Sequence, residues 1–123
     1  MATAPALARL AGRLRELRED HWSDVRLTQA ELAAALGDEE HLAPATVSSW
    51  ESKTTPKLPP AERLRAYARF FATRRSVEGD SAHLLPLDGF SSDEKAAFGE
   101  LEAELLGLRD KAARPSQEAE MVT

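Results

Sequence analysis

Apolar side chains in this 123-residue chain recur at three- and four-residue steps, and no segment alternates with a period of two. That spacing limits the fold more than any other feature. A helix turns once in about 3.6 residues and gathers such side chains on one face, whereas a strand gathers every second one. Composition points the same way. Isoleucine is absent, valine is scarce, and the good helix formers alanine, leucine, arginine and glutamate dominate. The expected class is all-α, a compact bundle of about five helices.

Apolar stripes and end signals place the helices. Leu7, Leu10, Leu14 and Leu17 line a first helix from Ala6 to about Asp20. Trp22 and Val25, in "HWSDVR", are expected to fold back on the core. Thr28 with Glu31 forms a capping box for a second helix, which Gly37 ends, with Leu32 and Leu36 buried and Ala33 small enough for a close neighbour. After "DEEHLA", Pro44 suits the first turn of a third helix, which carries Val47 and Trp50 and fades near Ser52. "KTTPKLPP" is a connector. Leu64, Tyr67, Ala68 and Phe71 make the inner stripe of a fourth helix, Pro60 to about Arg74. A loop with an apolar knot of Leu84, Leu85 and Leu87 leads to a second capping box, Ser91 with Glu94. A fifth helix then runs to about Ala113, with Phe98, Leu101, Leu105 and Leu108 as its stripe. This stripe suits either a cover over the core or a dimer seam. Residues 113–123 have little to bury and read as a disordered tail.

The net charge of −5 hides an asymmetry. Residues 1–75 hold 12 Lys/Arg and 10 Asp/Glu, while residues 76–123 hold 4 and 11. A polyanionic partner would meet the first segment, and the acidic second segment would face away from it. The lack of cysteine excludes disulfides and cysteine-held zinc. His21, His41 and His83 are scattered without metal-ligand spacing. No nucleophile elbow surrounds Ser48 or Ser49, and no glycine-rich phosphate loop is present. The chain is therefore not expected to be an enzyme or to need a metal or cofactor. No apolar run approaches the roughly 18–20 residues that span a bilayer, and the N-terminus lacks the apolar stretch of a secretory signal. A cytoplasmic protein without a membrane partner is expected.

"LTQAELAAALG" followed by "ATVSSWES" has the parts of a helix-turn-helix unit: a small residue at the crossing, a glycine, and apolar residues inside the second helix. With "LRELRE" before and "PKLPPAERLRAYARFFA" after, the stretch from Leu7 to Phe71 resembles the Cro- and lambda-repressor-like (XRE) helix-turn-helix family. The resemblance implies a lambda-repressor-like DNA-binding fold with an extra C-terminal helix. It matches Gln29 to a glutamine that touches phosphate or a base edge. It matches Ala43, Pro44, Ala45, Ser48 and Ser49 to groove-facing positions of the recognition helix, and Thr46 to a backbone contact near that helix's start. Glu51 matches a glutamate that pairs within the fold, and Trp50 a core aromatic. Lys53 and Lys57, just beyond, would supply phosphate contacts, with Arg13, Arg15 and Arg26 as weaker candidates. Two departures stand out. "DEEH" adds about four residues to the turn, three of them acidic, and the groove-facing positions carry no Arg, Asn or Gln for bidentate base contacts.

The reading is a helix-turn-helix DNA-binding domain over residues 1–75, then a linker and acidic helix over 76–112. It would act as a sequence-specific transcriptional regulator on double-stranded DNA, as a homodimer, with helix 44–52 in the major groove. The polar end of the chain is read as leading to an effector domain beyond residue 123. The competing reading is an adaptor or antitoxin-like protein-interaction module on the same fold, without DNA binding.

Overall fold

A computed structural model describes residues 5–37, 41–79 and 82–113. Residues 38–40, most of the extra turn segment, and 114–123, most of the expected disordered tail, lie outside the described residues. Among the described residues the regular structure is helical: α1 (Pro5–Asp20), α2 (Gln29–Gly37), α3 (Pro44–Trp50), α4 (Ala61–Phe71) and α5 (Ser92–Ala112), with 3-10 turns at Arg74–Val77 and Leu87–Gly89.

Each helix buries the stripe its spacing dictates. On α1 these residues are Leu10, Leu14 and Leu17, with Leu7 in the first turn only half-buried. Trp22 and Val25 pair across an isolated backbone bridge. The Trp22 ring then lies against Phe71, with centroids 5.3 Å apart. α4 buries Leu64, Tyr67, Ala68 and Phe71, and Phe70 as well. Phe70 falls outside the expected stripe because α4 is covered on more than one side, by α2 and by α5. α4 also ends earlier than expected. Thr73 takes an extended backbone (φ −143°) and its side chain accepts from the Arg75 N–H, which restarts the chain as a 3-10 turn.

The apolar knot is smaller than its sequence implies. Leu84 packs on the core and Leu85 is half-buried, but Leu87 is 41% exposed. Phe90, three residues on, takes the buried place instead. Both bonds of the Ser91–Glu94 capping box are formed, and α5 follows. This helix packs on α1 and α4, burying Leu101 and Leu105 with Phe98 and Leu108 at the margins. Its acidic residues meet arginines of the first segment: Glu104 with Arg13, Glu102 with Arg65 and Glu94 with Arg75. α3, by contrast, packs on α2.

Candidate nucleic-acid interface

The α2 capping box is formed, with the Thr28 N–H donating to Glu31 (2.9 Å) and the Glu31 N–H to the Thr28 hydroxyl (3.0 Å). These bonds satisfy two of the donors that a helix start leaves open. Leu32, Ala33, Ala35 and Leu36 then bury one side of α2. Gly37 ends the helix for a reason other than the one its sequence context implies. Left-handed backbone occurs at Gly79, not here. A Cβ at Gly37 would lie 3.0 Å from the Leu42 backbone nitrogen, so the requirement is for space where the chain returns.

α3 opens on Pro44, where a missing N–H costs nothing, after an extended Ala43. Val47 and Trp50 are buried, and the Trp50 ring sits 6.2 Å from that of Tyr67. The helix stops at Trp50, two residues short of expectation, because Glu51 turns inward as its C-cap. Only 3% of Glu51 is exposed. Arg18 grips its carboxylate through Nε and a terminal nitrogen, at 2.9 and 2.8 Å. Another Arg18 nitrogen donates to the Leu27 carbonyl (2.8 Å), and Arg15 donates to the Glu51 carbonyl (2.8 Å). Gln29 adds a bond from its amide to the same carboxylate (3.2 Å). One buried anion thus ties α1, the entry to α2 and the end of α3 together. The bonds to Glu51 raise the Arg18 pKa further above its usual value. Burial, with the Glu51 charge nearby, pushes the Tyr67 hydroxyl well above the ordinary phenol range.

This bracing leaves the other side of α3 to solvent. Pro44, Ala45 and Ser48 are exposed, and Ala43, Thr46 and Ser49 are half-buried. The Ser49 hydroxyl donates to the Thr46 carbonyl (2.7 Å), so its proton is engaged within the helix. Lys53 and Lys57 are exposed just beyond and make no ion pair among the described residues. Gln29 is half-buried and commits one amide N–H inward. Arg13 and Arg15 are engaged within the fold, at Glu104 and at the Glu51 carbonyl. Arg26, at the entry to α2, is exposed and makes no ion pair among the described residues. Arg18, which braces Glu51, is a residue of this network that sequence reasoning did not single out. The only available signal was its place three residues after Arg15 on one face of α1.

The sequence pattern of the Helix-turn-helix family matches residues 14–76, about half of the chain, from the middle of α1 through the turn after α4. The chain belongs to the Cro- and lambda-repressor-like helix-turn-helix family. Its members are DNA-binding regulators, and the matched span covers the whole braced unit and the exposed face of α3. No curated protein and no solved structure matches the chain. None of the helices among the described residues is long and apolar enough to cross a membrane. Nor do three His, Asp or Glu side chains gather there as a metal site would require.

Proposed function

We propose that this helix-turn-helix domain binds double-stranded DNA sequence-specifically as a transcriptional regulator, with α3 lying in the major groove. One observation carries the reading. α3 is fixed from behind by Val47, Trp50 and the Glu51 network, while Pro44, Ala45 and Ser48 on its front are exposed. A groove-reading helix needs both conditions, a rigid mount and an open face. Ala43, Pro44, Ala45, Thr46, Ser48 and Ser49 are the groove-side residues in this reading. Lys53, Lys57 and Arg26 contact phosphate and supply most of the affinity. Gln29 serves mainly to orient Glu51, with its remaining amide atoms turned toward the backbone of the duplex. Two copies would read half-sites about one helical turn apart, because one weakly basic module binds modestly by itself.

Binding to random duplex DNA at two salt concentrations tests the reading. The native chain should show a steep decline with salt. Lys53→Ala with Lys57→Ala should flatten the log–log slope by about 2. Absence of binding even at low salt would favour the protein-interaction module instead.

A further inference from the structure

We infer that the cleft between α1, the end of α4 and α5 is a binding site for a small quaternary ammonium ion. The cleft is an open cavity of about 350 Å³. Arg13 and the His21–Trp22 turn line one side, Ala97 and Glu100 of α5 the other, and Phe71 with Ala72 the base. No residue of α2 or α3 lines it, so the inference does not depend on DNA binding.

The ligand's chemistry follows from the walls. The rings of His21, Trp22 and Phe71 lie 5.0–5.5 Å apart and meet at angles of 37° to 81°. Each ring fixes the others, and an aromatic face attracts a cation placed over it. The His21 Nε2 lies 3.0 Å from the Phe71 carbonyl oxygen. A carbonyl only accepts, so Nε2 carries the proton and donates. Partial burial lowers the His21 pKa, so the ring is neutral near pH 7 and brings no positive charge. The Phe71 carbonyl belongs to the last residue of α4, and a helix carries partial negative charge at that end. Arg13, the lining cation, is already matched by Glu104 (2.7 Å) and Glu16 (2.9 Å). Glu100 is exposed and makes no ion pair among the described residues. One cation thus stands against three carboxylates, and one of these has no partner. An anion would meet that excess and the helix end with the wrong sign. A quaternary ammonium ion has no N–H to satisfy. Its methyl groups can cover the rings and Ala97 while its charge faces Glu100.

The probe is choline, titrated into the isotope-labelled full chain and followed by NMR. The amide signals of Ala72, Ala97 and Glu100 and the Trp22 indole N–H should shift together and saturate. The neutral dimethylbutanol isostere, with carbon in place of nitrogen, should bind about five- to thirtyfold more weakly. Glu100→Gln should weaken choline about threefold and leave the isostere unchanged. Ala97→Leu should fill the cleft and abolish both responses, with the Trp50 indole signal reporting that the fold is kept. Lys53→Ala with Lys57→Ala should leave choline binding as it is. Equal binding of choline and its isostere would overturn the inference, as would undiminished choline binding in Glu100→Gln, an exposed change that leaves the core intact. Shifts that fail to saturate by about 100 mM choline would overturn it too.

Discussion

α1 holds two neighbours by arginine–glutamate pairs, and the two pairs differ in kind. Arg18 and Glu51, which fix the end of α3, have side chains only 11% and 3% exposed. Arg13 and Glu104, which touch α5, are 27% and 42% exposed. An exposed pair contributes about 0.2–1 kcal/mol, because water screens the charges and two long side chains lose freedom. A buried pair contributes little net stability when whole, yet removing one partner strands a charge at a cost of about 3–5 kcal/mol. Full burial of one leucine is worth about 1.5–3 kcal/mol. α5 is therefore held by Leu101 and Leu105, and its ion pairs mainly set its register. α3 is also anchored by Val47 and Trp50, but its end is in addition fixed by the buried polar geometry around Glu51.

The contrast can be broken at three points. The largest effect is expected for Glu51→Ala, a loss of up to about 3–5 kcal/mol in urea denaturation, as Arg18 loses its main partner and keeps only Glu19 (3.1 Å) as an ion-pair partner. Arg18→Ala together with Glu51→Ala should cost less than the sum of the two single changes. An equal cost for exposed and buried pairs would erase the distinction drawn between α3 and α5.

An intermediate effect belongs to Glu94 at the start of α5. The Arg75 guanidinium, then the Thr73 hydroxyl and the Ser91 N–H, hold its carboxyl down to about 2. A depressed carboxyl contributes stability above its unfolded value, about 4.3. That contribution is lost as pH falls through the folded value. The thermal midpoint should thus drop between about pH 4.3 and 2, and Glu94→Gln should flatten that part of the curve. An unchanged acid limb in the variant would move the cause elsewhere. The smallest effect is expected for Glu104→Ala, under about 1 kcal/mol and vanishing in molar salt.

The features legible in the sequence were local ones. The Thr28–Glu31 and Ser91–Glu94 boxes span four residues each, and both formed. The burial of Val47, Trp50, Leu101 and Leu105 followed from helical periodicity, with Phe98 and Leu108 of the expected α5 stripe only partly covered. Glu51 could be expected to pair within the fold, but its partner lies 33 residues away on another helix, and no spacing rule reaches that far. Phe70 was missed because a stripe describes one buried face, and α4 has more than one. Leu87 looked like core from composition, yet the 3-10 turn that begins there leaves it in solvent. Gly37 was recognised as a helix end, but the closeness of the Leu42 backbone is a tertiary fact. At the candidate interface, the exposed positions of α3 followed from its inward residues. The inward bond of Gln29 depended on where the buried anion sits.

The seat of α5 also decides how many cations the chain shows to its surroundings. Glu94, Glu102 and Glu104 keep Arg75, Arg65 and Arg13 occupied. Were that helix lifted off, the guanidinium groups of Arg75 and Arg65 would become available, while Arg13 would keep Glu16. A chain so altered should attract polyanions more strongly, whatever their sequence.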